Sequence, residues 1–200
     1  MSRPRLRIPV LLVLWFLPAL CFAADAPELV YRVPTGGRIR ATPTVGPGGS
    51  IYLLSEDRHF YCLEPDGEIA FRVPLRARVA DVLAAGPDGT AYIGLARGTL
   101  LAVNAGGGVR WRLALDAPIV GSPAVSHTGV LYAAVESGSL YAIAHTGKLR
   151  WRVPLDGGAT AGVAADAGSR VYVGTGANHL AAVSSWGETL WSVDVGAAVA

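Results

Sequence analysis

Apolar and polar positions along this chain recur at a spacing of 40 residues. Each period holds short apolar runs divided by turn-forming residues. In one period the runs are Asp81 to Ala85, Ala91 to Leu95, Leu100 to Val103 and Val109 to Ala114. Between them stand Gly86-Pro87-Asp88-Gly89, Arg97-Gly98 and Ala105-Gly106-Gly107-Gly108, clusters of the residues that close tight turns. No segment joins a helical apolar period to helix caps. Ile51-Tyr52-Leu53-Leu54 is apolar on both faces, as a strand sandwiched between two layers must be. The last run of the period alternates instead. Val109, Trp111 and Leu113 point one way, and Arg110 and Arg112 the other. Arginines on such a strand suit an exposed sheet edge.

The period is exact over several columns. Tyr31, Phe71, Trp111, Trp151 and Trp191 form one; Tyr52, Tyr92, Tyr132 and Tyr172 a second; Gly67, Gly107, Gly147 and Gly187 a third. Arg32, Arg72, Arg112 and Arg152 form another, which Ser192 ends. The two-residue turn at Arg97-Gly98 recurs as Ser137-Gly138 and Ala177-Asn178, with Gly or Asn where such a turn needs a positive φ. Asp57-Arg58 departs from this and predicts a less regular turn in the first repeat. Four antiparallel strands per repeat of this length specify a β-propeller blade. The expected fold is therefore all-β, a propeller of four blades.

Composition changes this picture at the N-terminus. Arg3, Arg5 and Arg7 precede a run from Ile8 to Phe22 that is almost wholly apolar, and Cys21-Phe22-Ala23 offers a cleavage site. Residues 1–23 are therefore read as a signal peptide and 24–200 as the repeat domain. An uncleaved anchor and a lipoprotein at Cys21 are the alternatives. The run is short for a membrane span, and Pro9 and Pro18 interrupt it, so no transmembrane segment is expected after cleavage. The whole chain carries 17 basic and 15 acidic side chains; without residues 1–23 there are 14 and 15. A near-neutral domain lacks the electrostatic footprint of a nucleic-acid binder. Cys62 is then the lone cysteine, so no internal disulfide is expected. It shares a column with Ala102, Ala142 and Ala182, which calls for a small packed residue.

Three stretches carry a family resemblance: Gly129-Val130-Leu131-Tyr132-Ala133-Ala134, Gly138-Ser139-Leu140-Tyr141-Ala142-Ile143 and Thr146-Gly147-Lys148-Leu149-Arg150-Trp151, with Ser122-Pro123 leading into a first strand. Over residues 28–195 the chain resembles the pyrroloquinoline-quinone-like (PQQ-like) repeat family. The resemblance implies that Trp111, Trp151 and Trp191, with Phe71 as a weaker substitute, dock each blade against its neighbour. The family holds quinone-dependent dehydrogenases and non-catalytic propellers, among them a periplasmic component of outer-membrane assembly and sensor domains. The short link from Ala142 to Trp151, and Glu64, Asn104, Ala144 and Ser184 where the dehydrogenases often carry Asp, favour the non-catalytic kind.

Phase and chemistry complete the reading. Glu28 to Val33 matches a fourth strand without its first three, and Val199-Ala200 matches the approach to another first strand. This predicts an incomplete ring, completed by a longer chain or by self-association with a second copy. No Gly-x-Ser-x-Gly, His-Glu-x-x-His, Cys-x-x-Cys or phosphate-loop pattern is present, and no cofactor, metal site or catalytic residue is predicted. The turns between second and third strands share one face with the links between blades. Glu56, Asp57, Arg58, His59, Arg76, Arg78, Arg97, Asp116, Glu136, Asp156 and His179 fall on it. Loops held by a rigid scaffold are where binding concentrates, so Asp57, Arg58, His59, Arg97, Glu136 and His179 are the candidate binding residues. Trp186, on a turn elsewhere, is expected to pack on a neighbouring loop. The expected function is an exported, non-enzymatic scaffold, periplasmic or secreted, that binds protein partners of the cell envelope or a ligand. A quinoprotein dehydrogenase fragment and an extracytoplasmic sensor module are the alternatives.

Overall fold

The computed structural model describes residues 29–196. The expected signal peptide, Cys21, Glu28 and Val199-Ala200 lie outside the described residues. Leu29 and Val30 are exposed. From Tyr31 the described residues form one unit.

Among the described residues that unit contains four antiparallel sheets, each of four strands in sequence order. Blade I is β1 (Thr44–Val45), β2 (Ile51–Ser55), β3 (His59–Leu63) and β4 (Ile69–Pro74); blade II is β5 (Val79–Ala85), β6 (Ala91–Leu95), β7 (Thr99–Val103) and β8 (Val109–Ala114). Blade III is β9 (Ala124–Val125), β10 (Leu131–Val135), β11 (Ser139–Ile143) and β12 (Leu149–Pro154); blade IV is β13 (Ala159–Ala165), β14 (Val171–Thr175), β15 (His179–Val183) and β16 (Thr189–Asp194). Among the described residues no helix is long and apolar enough to cross a membrane.

First strands alternate in length, and one column explains it. Pro43 and Pro123 precede the two-residue strands β1 and β9, whereas Leu83 and Val163 stand within the seven-residue β5 and β13. Proline has no N–H to give to a ladder, so pairing in blades I and III starts late, with only the bridges Ile39 to Ser55 and Ile119 to Val135 before it.

The core lies between the sheets. Tyr52, Leu54, Phe60 and Cys62 of blade I pack with Leu83, Ile93, Leu101 and Val103 of blade II, and similar clusters join II to III and III to IV. Cys62 is buried opposite Phe71, while Ala102, Ala142 and Ala182 stand opposite Trp111, Trp151 and Trp191. The larger small residue faces the smaller aromatic, which conserves volume across the pair.

Each aromatic also reaches the next blade. A Cβ on Gly67, Gly107, Gly147 or Gly187 would come within 2.5, 2.9, 2.7 or 3.0 Å of the rings of Tyr31, Phe71, Trp111 and Trp151. The glycines also hold φ between 83° and 90°, so both the ring above and the backbone exclude a side chain. The indoles of Trp111 and Trp151 donate to the carbonyls of His145 and Ser185 at 2.8 Å. Residues Leu29 to Val33 form no strand, unlike the sequence expectation, because no ladder partner lies beside them among the described residues. Tyr31 nevertheless sits on Gly67, and Val33 packs on Leu53, Tyr61 and Leu63.

The column tyrosines differ at their hydroxyls: Tyr52 donates to Gly89 O at 2.9 Å, but the Tyr92 hydroxyl is buried with no partner. Burial pushes the Tyr92 pKa up to about 12. One further expectation needs correction: the arginine column is not uniformly an exposed edge. Arg152 pairs with Asp116 and lies 5.4 Å from the Tyr141 ring centroid.

Candidate functional site

The turn-and-link face is built by backbone hydrogen bonds that repeat in each blade. The N–H groups of Glu56, Ala96, Glu136 and Gly176 donate to the carbonyls of Arg38, Arg78, Pro118 and Gly158, all at 2.9 Å. On the outgoing side Leu75, Leu115, Leu155 and Val195 donate to Arg58, Gly98, Gly138 and Asn178 at 2.7–2.9 Å. Each turn is thus pinned to the link before it and the link after it, and side chains on this face project from a fixed frame.

Between blades I and II the face opens into a cleft of about 720 Å³, within the size range of ligand sites. Blade I and its incoming link supply Arg40, Glu56 and Arg58; blade II and its link supply Arg78, Val79, Ala80, Asp81 and Ala96. Arg40 Nε meets Glu56 Oε1 at 2.5 Å. Arg58, Arg78 and Asp81 are exposed and form no ion pair among the described residues. β5 breaks register with β6 between Val79 and Leu83, and this bulge carries Ala80 and Asp81 at the cleft. A smaller cleft of about 340 Å³ runs beside first-strand residues of blades I to III and shares Asp81.

The turn carrying Arg58 is regular, contrary to expectation. Ser55 pairs with His59 as Val135 pairs with Ser139, and Arg58 holds φ 65° where Gly98, Gly138 and Asn178 hold 77°, 84° and 63°. A side chain in this left-handed region costs roughly 1–2 kcal/mol. The adjoining hydrogen bonds over-determine it: Arg58 N donates to Ser55 O at 3.0 Å while its own carbonyl accepts from Leu75.

The other candidate residues divide by role. Asp57 is consumed locally. Its carboxylate accepts from Tyr61 Oη at 2.6 Å, Gly36 N at 3.0 Å and His59 N at 3.0 Å. Burial alone would raise its pKa, but the bonds from Tyr61, Ser55, His59 and Gly36 outweigh it and hold the carboxyl below its ordinary range. His59 turns its ring to Asp57, with Nδ1 at 3.1 Å from the carbonyl oxygen. Arg97 is exposed at φ 65°, Glu136 is exposed and His179 half-buried; none of the three lines the cleft. Arg40 and Asp81 were missed by sequence reasoning. Arg40 shares its column with Ala80, Val120 and Thr160, so a lone basic residue there was the available signal. Trp186 is 81% exposed and does not pack on a neighbouring loop. Among the described residues no three His, Cys, Asp or Glu side chains are grouped to hold a metal.

A family model described as "Outer membrane protein assembly factor BamB" matches residues 78–144 and 136–200. Among solved structures, BamB from Moraxella catarrhalis superposes with a TM-score of 0.67 at 18% identity, over 80% of this chain and 50% of that one. A protein of unknown function from Bacteroides caccae superposes with a TM-score of 0.59 at 17% identity, over 82% of this chain and 64% of that one. The chain therefore spans about half to two thirds of the length of these structures, and the likeness at such identity is one of fold. No curated protein matches the sequence. The repeat columns, the four-stranded blades and the family match together place this chain in the PQQ-like repeat family described by the outer membrane assembly factor BamB.

Proposed function

We propose that this chain is an exported, non-enzymatic β-propeller scaffold that binds a protein partner in the cell envelope. The observation that carries the reading is the cleft between blades I and II, set in a face whose turns are pinned on both sides. A rigid frame presenting charged loops recognises by complementarity and moves no proton or electron. The family description supports an envelope role, and the N-terminal sequence pattern supports export. Photo-crosslinking in intact cells tests this. A crosslinker at Arg97, beside the cleft, should yield a defined adduct with an envelope protein, and one at Asp66, on the turn between third and fourth strands, should not. Adducts confined to cytosolic proteins, or equal from both positions, would overturn the scaffold reading. The dehydrogenase alternative predicts dye reduction when quinone and calcium are added; the scaffold predicts none.

A second reading concerns β16. Trp191 is 42% exposed and Val193 is exposed, whereas Trp151 and Val153 at the same columns are half-buried against blade IV. We propose that this face packs on a further blade, from a longer chain or a second copy. Light scattering on this chain should then show concentration-dependent dimers that Trp191→Arg abolishes. A constant monomer mass excludes the second copy.

A further inference from the structure

The turn-and-link face is electrically lopsided. Arg38, Arg40, Arg58, Arg76 and Arg78 are all exposed on the blade I and II side. Their counterparts 80 residues on are Pro118, Val120, Gly138, Asp156 and Gly158, none of them basic. The exposed arginines of this face are thus gathered on its blade I and II side, which favours anionic partners there over the blade III and IV side.

Within the cleft the charges do not cancel. Glu56 neutralises Arg40. Arg58 and Arg78 have no carboxylate partner among the described residues, so two guanidinium forks are left, each with the geometry to hold a carboxylate through paired N–H donors. Val79, Ala80 and Ala96 give the cleft a small-residue apolar lining. Asp81 adds an unpaired negative charge beside the bulge of β5. That charge disfavours a dense polyanion but leaves room for separated carboxylates. Arg58 also stands at a left-handed φ where the other blades use Gly or Asn, a strained placement of the kind that persists where it serves a site.

We infer that the blade I–II cleft binds an acidic segment of the partner protein, with Arg58 and Arg78 each taking a carboxylate and the small-residue lining taking the short apolar side chains between them. This rests on the scaffold reading and names the chemistry of its partner.

Fluorescence anisotropy on the full chain tests it, with a short labelled peptide alternating Glu with Ala and a Gln-for-Glu control. The acidic peptide should bind and the control should not. Arg58→Gly and Arg78→Gly should each weaken binding about tenfold, as loss of a charge-assisted bidentate contact does. Arg112→Gln, outside the cleft, should leave it unchanged. No binding by the acidic peptide, or an equal loss with Arg112→Gln, overturns the proposal. So does binding to phosphatidylglycerol vesicles that depends on Arg58 and Arg78 when the peptide does not bind, which would assign the site to a lipid headgroup. If the double variant keeps the envelope crosslink from Arg97, the scaffold reading survives and the cleft assignment fails; loss of the crosslink from wild type fails the scaffold itself.

Discussion

Where blades III and IV meet, glycines let two backbones close on each other; where blades I and II meet, the same columns hold larger residues and a cleft remains. Gly121 and Gly162 approach so closely that a Cβ on Gly121 would lie 2.3 Å from Gly162 N, and Val163 N donates to Ser122 O at 3.0 Å. Their counterparts are Ala41 and Val82. Gly157 and Gly176 make a second close approach, with a Cβ on Gly176 2.2 Å from Gly157 O; Ala77 and Ala96 stand there in the first pair. At the rim Gly138 and Gly158 replace Arg58 and Arg78. One scaffold geometry therefore yields a sealed junction or an open charged one, according to residues that leave the strands untouched. This is how function is grafted onto a repeat fold.

The contrast can be broken most strongly at its closed end. Gly121 combines φ 61° with backbone contact, so Gly121→Ala should cost about 3 kcal/mol from left-handed strain and overpacking together. Chemical denaturation would read this, and Ala41→Gly at the open junction should lose less than half as much. Next is Asp57, the turn anchor that blade III replaces with Ser137 and blade IV with Ala177. Its folded pKa lies below the ordinary 3.8, so its stabilisation is complete above that value and disappears as pH falls through the folded pKa. Asp57→Asn should therefore cost about 1.5 kcal/mol near neutral pH and progressively less as pH falls below the ordinary carboxylate range, as measured by urea titration across that range. The tyrosines give opposite signs. Tyr52→Phe loses its bond to Gly89 and should destabilise by about 1 kcal/mol, whereas Tyr92→Phe removes a buried orphan hydroxyl and should stabilise by about as much. Smallest is Arg58→Gly. Relief of the left-handed backbone, offset by glycine's entropy, should raise stability by about 0.5 kcal/mol while binding of the acidic peptide weakens about tenfold. A variant that loses stability and binding together would mean that Arg58 serves the turn rather than a ligand.

Period-40 columns carried most of the architecture. β6 and β8 lie at Ala91–Leu95 and Val109–Ala114, as the apolar runs require. The first strands were harder to read, because Pro43 and Pro123 shorten β1 and β9 in alternate blades. The site was legible in part. Arg58 stands out as a charged residue in a column of Gly and Asn, and Arg78 falls on the same face. That Asp57 would be consumed by Tyr61 and Gly36 was not legible, since those bonds depend on how the incoming segment lies over blade I. Nor could sequence place Arg40 against Glu56, because that pairing depends on the course of the link into blade I. Volume also mattered: Ala41, Val82 and Ala96 stand between blades I and II where glycines let the backbones of blades III and IV close on each other.

The stacking of each aromatic on the glycine of the following blade gives the array a direction. Blades I to III each lean forward on a successor, and the first is leaned upon from behind by Tyr31. Trp191, tilted against Tyr172 of its own blade, has no following glycine to rest on among the described residues. In a quasi-one-dimensional stack such one-way contacts make order propagate from neighbour to neighbour, so truncating one ring, that of Trp111 for example, should loosen the joint to its successor before the joint to its predecessor.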